Sequence, residues 1–377
     1  MTIGRPARAS LLVDARALDL GGIGRYLREI LAHILTVPTF DRITLLGSAS
    51  QLRAFAASHP SPARVGVVPH HGGLYSLRSQ ASWARLRAFR QALGDVAFFP
   101  HWDSPLILPI ERSVVTVHDL IHFRVPDAFP RVRRAAARAV FRRVVSRAAR
   151  VIVDSDWTRK DLLELEPETR EKLRVVPLGV SPEFHPPQAE ELVRCPVREP
   201  FLFCLGNKKR HKNLITAVEV LAQLLPKYPQ LQLVVAGETY EGWDEVLAGM
   251  RERSVSGAVV DLPVVTDSEL RVLYGRCSAF LFPSRYEGFG LPVLEAMACG
   301  APVVASNASS IPEVAGQAGL LFDPSDVAGM ASAVSRLITD PAHRATVTRL
   351  GRERALEFNW ERTARQTVEI LREVAEG

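Results

Sequence analysis

Short runs of apolar, β-branched and aromatic residues recur along the chain, each followed by a stretch with helical spacing. In the first half they are LLV (11–13), ITLL (43–46), VGVV (65–68), VAFF (96–99), VVTV (114–117), VIV (151–153) and VV (175–176). In the second they are FLFC (201–204), LQLVV (231–235), AVV (258–260), AFLF (279–282), PVVA (302–305) and GLLF (319–322). Runs that are apolar throughout, without polar alternation, suit strands covered on both faces, as in parallel sheets flanked by helices. Strand–helix alternation therefore predicts an α/β fold of doubly wound parallel sheets. The segment 177–200, PLGVSPEFHPPQAEELVRCPVREP, holds six prolines in 24 residues and reads as a linker between two domains. This divides the chain into a first Rossmann-like domain over 1–179, a linker over 180–200 and a second Rossmann-like domain over 201–357. A last helix follows over 358–377, with Asn359 as a candidate cap. Ligands of such sheets bind beyond the carboxyl ends of the strands, so a cleft between the two domains is the expected site.

The 377 residues are 47% hydrophobic and 23% charged, which excludes disordered and collagen-like chains. No run approaches the roughly 20 apolar residues needed to span a bilayer. The start, MTIGRPARAS, leads into LLVDARALDL, which Asp14 and Arg16 interrupt, so it does not read as a signal peptide. Cys195, Cys204, Cys277 and Cys299 show no metal-ligand spacing and read as reduced thiols of a cytoplasmic protein. The net charge of +6 is uneven. Residues 1–150 hold 22 Lys and Arg against 9 Asp and Glu, and the remainder holds 25 against 32. A basic first half calls for an anionic partner: nucleic acid, a membrane surface or a phosphorylated substrate. Nucleic acid is disfavoured, because no helix-turn-helix, zinc or RNA-binding signature is present. The most basic segment, RVRRAAARAVFRRVVSRAARVIV (131–153), has apolar residues at Val132, Ala135, Ala136, Val140 and Val144. It reads either as a solvated helix or as a helix lying on anionic headgroups at the inner face of a membrane, with Phe141 its one large apolar anchor.

Candidate chemistry concentrates in SRYEGFGLPVLEAMACGAPVVAS (284–306). A loop with Gly288, Phe289 and Gly290 opens a helix at Leu291, with Pro292 expected at the first helical position. Its backbone amides and helix N-terminus suit a phosphate. Glu287 in the loop and Glu295 about one turn into the helix aim at the same opening, as acceptors for sugar hydroxyls. A second cluster, LGNKKRHKN (205–213), follows the first strand of the second domain and offers cations to a diphosphate. A third, LDLGGIGRYLREIL (18–31), places Gly22 and Gly24 before a helix, with Arg25 either a further charge or a surface residue. It is not the dinucleotide G-x-G-x-x-G, and no phosphate-binding G-x-x-x-x-G-K-[ST] occurs. His118 and Asp119 end VVTV, and His101 and Asp103 in FPHWDSP (99–105) are candidates for an acceptor pocket. DSD (154–156) has the spacing of a metal-diphosphate ligand, yet reads better as a helix start capped by Asp154 or Ser155.

Segment 284–306 strongly resembles the signature of the family-four retaining glycosyltransferases of GT-B fold, of the mannosyltransferase-like branch. VVTVHDLIHFRVP (114–126), VIVDSDWTRKDLLE (151–164), RVVPLGVSPEF (174–184) and 273–326 resemble it too. The resemblance implies two Rossmann-like domains facing across a cleft, with the last helix crossing back onto the first. It also implies transfer of a hexose from a nucleotide diphosphate sugar, with retention, to a glycan or lipid-linked hydroxyl in cell-envelope or exopolysaccharide synthesis. The roles it implies are Glu295 on the ribose, and Glu287 with the 288–290 backbone on the hexose. Lys212 falls on the leaving diphosphate and His118 beside the donor sugar. Where the family has an arginine after Gly206, this chain has Asn207, leaving Lys208 or Lys209 as replacements. The branch implies GDP-mannose. Alternatives are dTDP-rhamnose, UDP-glucose or UDP-GlcNAc donors, or a nucleotide-sugar epimerase of the same architecture. No cofactor and no metal are expected.

Overall fold

The protein is seen in a computed structural model that describes residues 9–70, 72–74, 76–85, 94–106, 110–125, 131–192, 195, 197–240 and 242–377. The first eight residues of MTIGRPARAS, the side chain of Val132 and residues 193, 194 and 196 of the proline-rich segment lie outside them. Every apolar run noted above falls on a strand. Seven form one sheet: β1 (Ser10–Asp14), β2 (Arg42–Gly47), β3 (Arg64–Pro69), β4 (Val96–Phe99), β5 (Ser113–Val117), β6 (Arg150–Val153) and β7 (Leu173–Val175). Six form another: β8 (Phe201–Leu205), β9 (Gln232–Ala236), β10 (Val259–Leu262), β11 (Ala279–Phe282), β12 (Val303–Ser306) and β13 (Leu320–Phe322). The orders are β3-β2-β1-β4-β5-β6-β7 and β10-β9-β8-β11-β12-β13. All the pairings are parallel. In each sheet the chain winds outward from the central strand, then returns to its other side. The order thus reverses between β1 and β4, and again between β8 and β11. At such a reversal the loops leaving two adjacent strands splay apart and open a crevice.

The chain forms two units, Met1–Gly179 with Trp360–Gly377, and Val180–Asn359. In the first, Trp83, Phe99, Trp102, Phe141, Val115 and Val151 pack under the sheet. In the second, Leu202, Val218, Leu221, Val235, Leu281 and Val304 do so. Residues 180–200 of the proline-rich segment belong to the second unit, where Phe184 meets the edge of Tyr274 at 6.4 Å and Arg271 donates to the Glu183 carbonyl. The last helix, Trp360–Glu376, buries Trp360, Thr363, Ala364, Thr367, Val368, Leu371 and Val374, a spacing of three and four that makes one apolar stripe. That stripe lies in the first unit. Trp360 sits 6.3 Å from Tyr26, and Thr363 donates to the Pro177 carbonyl.

The basic helix, Arg131–Arg147, differs from the expected pattern. Ala135 and Ala136 are exposed, and the covered stripe runs through Ala137, Val140, Phe141, Val144 and Val145. Four of its arginines are engaged by the protein itself. Arg142 pairs with Glu166 and Arg147 with Glu111, while Arg138 and Arg143 donate to the Leu165 and Leu106 carbonyls. Among the described residues no helix is long and apolar enough to cross a membrane. Leu371 is fully buried, so Leu371→Ala should cost the first unit about 2–5 kcal/mol. Hydrogen exchange should show protection lost across Ser10–Val175 and retained across Phe201–Phe322. Equal loss in both would contradict the placement of the last helix.

Candidate active site

In the second unit the reversal of strand order brings together the loops after β8 and β11. Gly206 leaves β8 with φ 140°, and a Cβ there would lie 3.2 Å from the Lys212 stem, so glycine allows that stem to cross the backbone. A 3-10 turn, Arg210–Lys212, ends at Asn213 in the left-handed region (φ 54°). Asn213 Nδ2 donates to the carbonyls of Pro283 and Pro324, and the Arg285 amide donates to the His211 carbonyl, which ties the two loops. Lys212 Nζ then meets Glu287 Oε1 at 2.7 Å, each side chain about one-seventh exposed (14% and 13%).

Glu287 is held from behind by two serines that sequence reasoning missed. Ser309 Oγ accepts from the Glu287 amide, and Ser310 Oγ donates to the Glu287 and Phe289 carbonyls. Gly288 is half-buried, while Phe289 is buried with its ring 5.9 Å from Phe358. Gly290 caps the helix Leu291–Ala298 in the left-handed region, and Pro292 takes its second position, one later than expected. Glu295 is buried one turn into that helix, where Tyr274 Oη donates to Oε2 at 3.2 Å.

The basic residues of 205–213 do not act as one cluster. Lys208 is buried against Asp261 and lies 4.9 Å above the Trp243 ring, so it cannot take the place of the family arginine without abandoning that carboxylate. Arg210 pairs with Glu245, and Lys209 lies over the Tyr240 ring. Burial, then the positive charges of Lys212 and Lys209, push the His211 pKa down to about 4, so it adds no charge at neutral pH. Asn207 is exposed. Of the expected set, Lys212 alone joins Glu287.

In the first unit the reversal lies between β1 and β4. The helix after β1 is Gly21–Thr36, with exposed Gly22 second in it and Arg25, half-buried, fifth. Gly24 has a role other than the expected amide contact. Its N–H already donates to the Leu20 carbonyl, and a Cβ would stand 2.6 Å from the Leu18 carbonyl oxygen. Its lack of a side chain seats the helix on the preceding turn.

His101 and Asp103, expected to line an acceptor pocket, are buried in an ionic network built around Arg16, which sequence reasoning had noted only for its charge. The Arg16 guanidinium donates two hydrogen bonds to the Asp14 carboxylate, two to Asp103 (its carboxylate and its carbonyl) and one to Ser79. His101 Nδ1 accepts from the Asp103 amide, and burial pushes its pKa down to about 3, leaving the ring neutral. Burial opposes ionisation of Asp14, yet Arg16 outweighs it and holds the carboxyl below its ordinary range. Its stabilisation is therefore present above the usual carboxylate pKa and is lost as pH falls. His118 and Asp119 follow β5. His118 Nδ1 lies 2.6 Å from Asp154 Oδ2, and Nε2 lies 2.8 Å from the Pro100 carbonyl. Of the two cap candidates, Ser155 is the cap and Asp154 serves His118.

Arg16→Met would leave Asp14 buried without its counter-charge, at a cost of about 3–5 kcal/mol. Urea unfolding should show that loss, with part of it recovered in Asp14→Asn/Arg16→Met. A loss below about 1 kcal/mol, as for an exposed pair, would show that the network does not brace these loops.

The chain matches two families in succession. Residues 20–184 match Glycosyltransferase Family 4, and residues 192–354 match Glycosyl transferases group 1. It is 30% identical over 368 residues to the O-antigen chain mannosyltransferase B of Escherichia coli, covering 93% of this chain and 95% of that protein. It is 27% identical to the D-inositol 3-phosphate glycosyltransferase of Pseudarthrobacter chlorophenolicus, covering 93% and 90%. Among solved structures, Anabaena Alr3699/HepE in complex with UDP and glucose superposes with a TM-score of 0.75 at 18% identity, covering 96% of this chain and 99% of that one. With its two parallel-sheet Rossmann-like units, the chain belongs to the family-four, group 1 glycosyltransferases of GT-B fold, and it is a glycosyltransferase.

Proposed function

We propose that this glycosyltransferase moves mannose from GDP-mannose, with retention and without a metal ion, to a hydroxyl of a glycan or lipid-linked acceptor in cell-envelope or exopolysaccharide synthesis. The 2.7 Å pair of Lys212 and Glu287, in the loop that leads into the helix carrying Glu295, carries the reading. It collects in one place a cation for a diphosphate and carboxylates for sugar and ribose hydroxyls. The similarity to an O-antigen chain mannosyltransferase over nearly the whole chain supports mannose as the sugar.

On this reading donor binding exchanges partners. The diphosphate takes the Lys212 ammonium, and the released Glu287 accepts hydrogen bonds from the hexose hydroxyls. Glu295, fixed by Tyr274, accepts from the ribose diol. As the bond from C1 to the phosphate oxygen breaks, Lys212 stabilises the charge left on the diphosphate. The acceptor oxygen bonds C1 from the same face, and its proton passes to the departing phosphate oxygen, so no protein base is required. Metal independence is supported by the fate of DSD. Asp154 is buried against His118, and Asp156 pairs with Arg159. Contact with an anionic membrane on the cytoplasmic side rests on the net charge of the first 150 residues, because the basic helix spends several arginines on protein groups.

GDP-mannose at ~100 times its dissociation constant should stabilise the protein by about 2.7 kcal/mol, visible as a thermal shift. In Glu295→Ala the affinity should fall roughly a hundredfold, the equivalent of one or two hydrogen bonds to a charged acceptor. A shift with a different nucleotide sugar and none with GDP-mannose would move the donor assignment; an undiminished shift in Glu295→Ala would reject the site. Transfer activity should survive chelator and the omission of divalent ions, and complete loss would refute metal independence.

A further inference from the structure

β5 and β6 are adjacent, with Val117 opposite Val153, so His118 and Asp154 each stand one residue beyond a paired strand end. The His118 ring has both nitrogens engaged. The Pro100 carbonyl can only accept, so Nε2 carries a proton. Nδ1, 2.6 Å from a carboxylate oxygen, therefore shares a second proton with Asp154, at the short end for charge-assisted hydrogen bonds. Asp154 is 1% exposed, and its other oxygen, Oδ1, is buried with no hydrogen-bond partner. A buried carboxylate oxygen without a donor lowers stability. Uncompensated groups of this kind mark places where function rather than stability selects the residue.

Among the described residues, the remaining groups around the ring are neutral except one, which is negative. Tyr26, from the helix Gly21–Thr36, meets it edge to face at 4.8 Å, and burial keeps that phenol neutral, bonded to Thr116. His101, beyond Pro100, is neutral. Asp119, on the same loop, accepts from the Ile121 amide and adds negative charge.

We propose that Asp154 is a positioning residue for the transfer reaction, locking the His118 imidazole in one orientation as a cation whose charge the carboxylate balances. The proposal rests on the reading of this chain as a sugar transferase in which His118 acts beside the donor. Burial alone would discharge the ring; the Asp154 charge and hydrogen bond, then the Pro100 carbonyl, outweigh it and hold the imidazole above its ordinary pKa. The proton is thus held to higher pH than on a free imidazole and lost only as pH rises past that elevated value. Without the carboxylate, only the Pro100 carbonyl and Asp119 work against desolvation, and the ring gives up its proton at lower pH.

The test combines ring titration with kinetics on the full chain. With 15N-labelled histidine and the His118 signals assigned through His118→Gln, both ring nitrogens should be protonated at about pH 7.5 in the wild type. In Asp154→Asn one of them should be bare. With GDP-mannose, kcat of Asp154→Asn at that pH should fall roughly tenfold to a hundredfold, the scale of a misplaced reacting group, while donor KM stays within about twofold. The deficit should shrink toward pH 6, and Asp154→Glu should restore part of the rate. A neutral His118 in the wild type overturns the proposal, and so does an Asp154→Asn profile of unchanged shape. Should Asp154→Asn fail to fold, the wild-type titration decides alone. Absence of turnover with any nucleotide sugar would defeat the functional reading, and the titration would still decide this one.

Discussion

Lys212 and Glu287 stand 75 residues apart and share a 2.7 Å ion pair because β8 and β11 are neighbours in the sheet. That adjacency is the constraint on which the second unit's chemistry depends. A parallel sheet cannot place β9 beside β8 and then β11 on its other side without separating the two intervening loops, and the separation leaves room for a ligand. Each half-buried charge needs a counter-charge when no ligand is present. The pair meets that need and, on the proposed reading, keeps both groups where a diphosphate and a sugar would compete for them.

The first unit answers the same topological opening differently. Arg16 fills it with a fully bonded guanidinium, linking the ends of β1 and β4 to the segment carrying Ser79. The planar fork of arginine suits this, since it serves several acceptors at fixed angles where a lysine would serve fewer. The result is a buried ionic network of which His101 and Asp103 are parts. His118, one strand further along, is bound at both ring nitrogens and partly reachable, its side chain 15% exposed. One edge of the sheet thus holds both a structural and a candidate functional histidine, and burial together with the nearest carboxylate separates the two.

The strands were legible because a buried parallel strand has few alternatives: VAFF and AFLF can bury every side chain only in an element covered on both faces. The last helix was legible from its own period. The apolar stripe of the basic helix was misplaced by one position, because alanine is compatible with either face and Phe141 decides which one turns inward. Glu287 and Glu295 were singled out through the local order of glycine and carboxylate around a helix start, and Lys212 through the family resemblance. Lys208 was named there too, but its burial against Asp261 and Trp243 was not legible, because its sequence neighbours do not reveal either partner.

What the sequence determined by itself was the set of elements, their class and the short segments rich in the right chemistry, since periodicity, glycine placement and residue type act over a few positions. Pairing was decided by the tertiary structure. Asp154 reads as a helix cap until β6 lies beside β5, and Arg16 as one charge among many until three loops converge on it. Ser309 and Ser310 read as a turn until they brace Glu287. Charge and hydrogen-bond partners act through space over a few ångströms, and the winding of the sheets alone sets which distant residues come that close.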